Sequence, residues 1–177
     1  AKAATCIDCH GAHEMSKGSD PMSKVSKANL PTTCGKCHAQ VSEHFKGSVH
    51  GIALHKGVSA SPTCTDCHGE HNILKHTDPR SPVAKGNVSA QVCTPCHGSV
   101  KLTQKFGLAT DRFQSFADSY HGLAGQAGSV EVANCASCHG IHDIKPSSDP
   151  TSRIAKQNLG WTTGGRAVID VVREKGQ

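Results

Sequence analysis

Short helices joined by coil, with little β-structure, is the fold class this sequence predicts, and two observations predict it. Only 36% of the 177 residues are hydrophobic and 3% aromatic, little material for a conventional core. The ten cysteines fall without remainder into five copies of one pentapeptide, CxxCH: CIDCH from Cys6, CGKCH from Cys34, CTDCH from Cys64, CTPCH from Cys93 and CASCH from Cys135. With one motif for roughly every 35 residues, most segments have to serve a motif, and long regular elements have no room to form.

CxxCH is the pattern that attaches haem c covalently. Two thiols three positions apart on one turn reach the two vinyl groups of a single porphyrin, and the adjacent imidazole meets the iron. The expectation is five haem c groups, held by Cys6 and Cys9, Cys34 and Cys37, Cys64 and Cys67, Cys93 and Cys96, and Cys135 and Cys138. Structural zinc and disulfides are the competing readings. A zinc ribbon pairs CxxC units but does not ask for His after every second Cys. A disulfide framework spaces its cysteines irregularly and has no use for that His either. Flat apolar porphyrins would also supply the core that the composition lacks.

The motifs belong to an internal repeat. CIDCHGAHE, CTDCHGEHN and CASCHGIHD share a CxxCHGxH core, each followed by a DP dipeptide at Asp20-Pro21, Asp78-Pro79 and Asp149-Pro150. These are three copies of a half-unit A. A second half-unit, B, starts with the plain motifs at Cys34 and Cys93 and runs on to SVHG (Ser48 to Gly51) or SYHG (Ser119 to Gly122). From His50 to Cys64 and from His121 to Cys135 the distance is 14 residues both times. The B copies differ by a 12-residue insertion around Lys101 to Phe113, expected as a surface excursion. The division that follows is a two-haem unit over 1–58, a second over 59–129, and a one-haem half unit with a divergent tail over 130–177. Each DP is expected to end a local helix, because the residue before Pro is pushed toward an extended form.

A third B half-unit should follow the third A. Residues Asp149 to Asn158 run parallel to Asp20 to Asn29, and Thr162-Thr163 echo Thr32-Thr33, but Gly164 stands where Cys34 would fall. Beyond it, Val168, Ile169, Val171 and Val172 form a small apolar cluster. It reads either as a terminal helix docked on the last haem or as a contact with a neighbouring subunit.

Thirteen histidines supply the iron ligands. The motif residues His10, His38, His68, His97 and His139 are the expected proximal ligands. Two further groups recur with the repeat: His13, His71 and His142 from CxxCHGxH, and His50 and His121 from SxHG. Together they provide one sixth ligand per iron. His44, His55 and His76 fall outside the repeat and are expected to be exposed or near propionates. His13 follows His10 by three residues, so the two cannot bind opposite faces of one iron. The distal His of each A half-unit must then serve a different haem, tying two porphyrins together and making a path for electrons. Tyr120 and Trp161 are single aromatics that could lie beside porphyrins, although packing is explanation enough.

The formal charge of +5 invites a polyanion partner. Five haems would bring about ten ionised propionates against roughly one residual positive charge per ferric porphyrin. The loaded chain is then roughly neutral when oxidised and about −5 when reduced, which argues against nucleic acid. No 18-residue apolar run exists, so no membrane span is expected. A basic start followed by an apolar segment is also lacking, the expectation being a signal peptide already removed.

The CxxCHGxH, DP and SxHG blocks resemble the repeating modules of large multihaem c-type cytochromes from metal-respiring and related anaerobic bacteria. The resemblance covers residues 5 to about 160. It implies a multihaem cytochrome c fold organised around a chain of five covalently bound haems, a periplasmic or extracellular location, and other redox proteins or extracellular electron acceptors as partners. Iron held by two histidines has no open coordination position, so the expected function is one-electron transfer and not enzymatic catalysis. Met15 and Met22 are too few for methionine ligation to be general. One alternative is a reductase with one five-coordinate haem beside acid-base residues. The familiar five-haem nitrite reductases are far longer and carry a CxxCK motif, which this sequence lacks. Another is a subunit of an extracellular filament, stacked head to tail.

Overall fold

The computed structural model describes residues 3–109 and 111–159. Trp161, Gly164 and the apolar cluster from Val168 to Val172 lie outside them. The described residues are helix and coil without a strand. Ten short α-helices follow one another: α1 (Cys6–His10), α2 (Leu30–Gly35), α3 (Ala39–Lys46), α4 (Val49–His55), α5 (Cys64–His68), α6 (Thr94–His97), α7 (Val100–Lys105), α8 (Arg112–Ala117), α9 (Tyr120–Gln126) and α10 (Cys135–His139). A π-helical turn, Val88–Cys93, runs directly into α6. No helix among the described residues is long and apolar enough to cross a membrane.

Two compact units divide the chain. Described residues up to 67, joined by His142–Ile144, make the first, and the other described residues from 68 onward make the second. In the first, α2, α3 and α4 pack in sequence; in the second, the π-helical turn packs on α6 and on α10, and α8 packs on α9.

Between A and B half-units the chain forms a ladder of single turns, and here the expectation for the DP dipeptides is corrected. No helix ends at them. Each Asp instead starts the ladder, its Oδ1 accepting the N–H two residues on: Met22 at 2.9 Å, Arg80 at 2.9 Å and Thr151 at 2.8 Å. Three-residue turns follow, with Ser23, Ser26 and Asn29 donating to Asp20, Ser23 and Ser26 at 2.9, 3.0 and 2.9 Å. The same steps recur from Asp78 to Asn87 and from Asp149 to Asn158. An Asn amide closes each ladder by donating to two carbonyls. Asn29 reaches Pro21 and Ser23 at 2.9 Å each, Asn87 reaches Pro79 and Ser81 at 2.8 Å each, and Asn158 reaches Pro150 and Ser152 at 2.8 and 2.9 Å. The parallel between Asp149–Asn158 and Asp20–Asn29 is thus one of structure as well as sequence.

Serines and threonines occupy the interior positions. Among the described residues only Pro31, Ala84, Val88 and Ala155 have buried apolar side chains, whereas Ser23, Ser26, Thr33, Ser42, Ser48, Ser61, Thr63, Ser81, Thr103 and Ser152 are buried and polar. Most of their hydroxyls bond to backbone, as Ser42 does to Pro31 O at 2.8 Å and Ser61 to His50 O at 2.8 Å. Such bonds are worth only about 0.5–1.5 kcal/mol each in net terms. Large apolar side chains meanwhile stay outside, among them Ile7, Ile73 and Ile141, each about 60% exposed.

Candidate functional site

The three A motifs are built alike. Each is a single helical turn, α1, α5 or α10, that starts at its first Cys and ends at its His. The residue before the first Cys and the one two after it start the turn together. Thr5 N–H donates to Asp8 Oδ2 at 2.7 Å, and Thr63 N–H donates to Asp66 Oδ2 at 2.7 Å. At α10 the exchange is reciprocal, Asn134 N–H to Ser137 Oγ at 3.1 Å and Ser137 N–H to Asn134 Oδ1 at 2.9 Å. The Thr5 bonds hold the Asp8 carboxyl below the usual carboxylate range. Glycine then stops each turn: Gly11, Gly69 and Gly140 have φ of 84°, 78° and 79°, a conformation that side chains with a Cβ avoid. The chain leaves the helix axis at that residue, so His13, His71 and His142 depart on a separate segment from the imidazoles of His10, His68 and His139.

B motifs are continuous with flanking structure instead. Cys34 lies in α2, His38 caps α3, and the turn is kept by His38 N–H donating to Cys34 O at 3.0 Å. From Asn29 to Cys34 is five residues, but from Asn87 to Cys93 is six. The π-helical turn takes up the additional residue, because its wider i→i+5 closure holds one more residue than an α turn. The longer insertion after Cys96 is a helix and not only a surface loop: Thr103 on α7 is 2% exposed and donates to Ser99 O at 3.0 Å.

SxHG positions its histidine through its other members. Ser48 caps α4, its Oγ accepting Gly51 N–H at 3.1 Å and donating to Phe45 O at 2.6 Å; Ser119 does the same for α9 with Gly122 at 3.3 Å and Phe116 at 2.6 Å. A Cβ on Gly51 would fall 2.0 Å from Phe45 O, and one on Gly122 2.2 Å from Phe116 O. Glycine therefore lets the second helix start hard against the end of the first. His50 and His121 each sit at the second position of the helix so formed, half-buried. His121 Nδ1 is buried without a hydrogen-bond partner, and Tyr120, itself 76% exposed, stands edge-on to that ring at 5.7 Å.

Thiols of successive motifs meet. In the first unit Cys34 and Cys64 interact, which lowers the Cys64 thiol to about 6; the Thr63 hydroxyl, 3.9 Å away, adds to the effect. The Cys34 thiol is raised in return, and Cys9 is near enough to raise it further. In the second unit Cys93 acts on Cys135 and lowers it to about 6, helped by Ser89. Matching bonds dock the A motif on the preceding ladder. Lys27 pairs with Asp66 at 3.3 Å in the first unit, and in the second Asn134 donates to Lys85 O at 2.9 Å and Cys135 N–H to Ser89 Oγ at 3.1 Å.

Exposure does not separate the groups of histidines read from the spacing. His44, His55 and His76 are exposed. Desolvation by the surrounding chain, then His97 and Arg112 close by, lowers His139 below the usual imidazole range. His13 and His71 are exposed, whereas His142 is half-buried in the first unit. The Thr/Asn caps, the ladder asparagines and the thiol couples were missed in the sequence; for the caps and asparagines a signal existed, since Thr-x-x-Asp precedes two motifs and Asn recurs nine residues after each DP aspartate. None of the ten cysteines forms a disulfide, each is half-buried or exposed, and no three His, Cys, Asp or Glu side chains converge as a metal-ion site among the described residues. No protein family matches the chain, and neither a curated protein nor a solved structure is significantly similar to it.

Proposed function

We propose that the chain is a pentahaem c-type cytochrome that carries electrons by one-electron transfer along closely packed haems, each iron held by two histidines. The observation that carries this reading is the repeated motif geometry: three times a single helical turn, and twice the junction of two helical segments, presents two thiols and one imidazole. That donor set suits a porphyrin tethered at two points and ligated at its iron. Three further features support it. Apolar side chains stand exposed next to the motifs, as Ile7 and Ile141 do, where a porphyrin face would cover them. His121 offers a buried ring nitrogen that lacks a partner, as a ligand awaiting its metal would. And the couples Cys34 with Cys64 and Cys93 with Cys135 bring the attachment points of neighbouring motifs together.

Haem, when bound, supplies iron that exchanges one electron at a time. The chain's own residues do the rest. Cys6, Cys9, Cys34, Cys37, Cys64, Cys67, Cys93, Cys96, Cys135 and Cys138 would hold the porphyrins; His10, His38, His68, His97 and His139 would bind the irons from one side, and His13, His50, His71, His121 and His142 from the other. Caps and ladders fix the spacing of these groups. We further infer an exported protein, periplasmic or extracellular, exchanging electrons with other redox proteins or extracellular acceptors, with no substrate chemistry of its own. The test is electron paramagnetic resonance on the resting protein beside a potentiometric titration. Five low-spin irons titrating without added substrate are expected; a stoichiometric high-spin iron would favour a reductase.

A further inference from the structure

We propose that His142 is the sixth ligand of the iron whose proximal ligand is His38, an assignment that rests on the haem reading above. Residues His142–Ile144 belong to the unit that holds the motif at Cys34 and not to the one that holds their own motif at Cys135. Backbone fixes them there, for Val49 N–H, at the first residue of α4, donates to Ile144 O at 2.9 Å. α3 and α4 pack on each other, and His38 is the N-cap of α3. His142 thus lies at the hairpin that His38 opens, and it is half-buried there, unlike its repeat equivalents His13 and His71. His38 and His44 lie near its ring, with Asp143 beside it.

Neighbouring imidazoles compete less well. His44 rises from α3 itself, six residues on from His38. Side chains of one helix radiate from a shared axis and cannot face each other across a porphyrin. His50, at the second position of α4, is the other histidine of this hairpin, and the experiment separates it from His142.

In the loaded protein His142→Ala should turn one of five irons high-spin and leave four low-spin, with intact mass still showing five haems. His142→Met should restore the low-spin state at a raised potential for that one haem, which separates lost ligation from misfolding. The decisive background is the Cys34→Ala, Cys37→Ala protein, which lacks the haem of the second motif: there His142→Ala should alter none of the remaining four irons. A high-spin iron that persists in that background overturns the assignment. So does a His142→Ala protein with five low-spin irons, or the uncovering of the second motif's iron by His50→Ala or His44→Ala instead. A wild-type mass without covalent haem is a separate result, seen before any variant is made, and overturns the haem reading and the assignment with it.

Discussion

Cys34 interacts with Cys64 across 30 residues of chain, each shifting the other's thiol, and Cys93 acts on Cys135 across 42. Both couples join the first thiol of a B motif to the first thiol of the A motif that follows it. The insertion that lengthens the second interval leaves the couple intact, so the pairing is a property of the repeat and not of one loop.

The couples predict an order of thiol reactivity in the chain before haem attachment. The thiolate is the reactive form. Cys64 and Cys135, lowered to about 6, should be alkylated across the neutral range with rates that level off above that pH. Cys34, raised by its partner, and Cys138, raised by burial, should react only well into the alkaline range. Cys34→Ala should move the Cys64 inflection upward by removing the group that lowers it. Site-resolved mass spectrometry of alkylated peptides checks this, and ten thiols with a common profile would exclude the couples.

Gly51 should tolerate no side chain. Its Cβ would meet Phe45 O at 2.0 Å, backbone that can yield only if α4 shifts. Gly51→Ala is expected to cost about 3 kcal/mol, the upper range for overpacking. Ser48→Ala, which removes the cap but adds no clash, should cost about 1 kcal/mol. Denaturant unfolding of the loaded protein measures both, and a Gly51→Ala protein as stable as the parent would mean the helices do not abut as described.

Asn87 should distinguish the ladder's hydrogen bonds from simple packing. Its amide donates to Pro79 O and Ser81 O at 2.8 Å each. Asn87→Ala loses two donors and should cost about 2 kcal/mol. Asn87→Asp should cost more at neutral pH, because a carboxylate would face two carbonyl oxygens. An Asp variant more stable than the Ala variant in thermal unfolding would contradict the bonding.

Motif spacing made part of this molecule readable in advance. The turns at the CxxCH motifs and the shortness of the helices among the described residues follow from it. The DP dipeptides did not, because the local rule about residues before proline says where an extended residue falls and not that Asp20 will begin a turn. An Asn nine residues later completes that turn ladder, a separation at which no propensity acts. The π-helical turn was half visible: the sixth residue between Asn87 and Cys93 can be counted, but a loop would absorb it equally well. The thiol couples and the placement of His142 in the first unit are tertiary facts, set by interactions across 30 to 95 residues.

The central claim is that each pentapeptide carries one covalently attached haem. Intact-mass analysis of the purified protein, read together with a count of free thiols, tests it most directly. Five haem additions and no free thiol among the ten cysteines are predicted. A polypeptide mass with ten titratable thiols, or a mass reporting bound zinc or disulfides in their place, would contradict it.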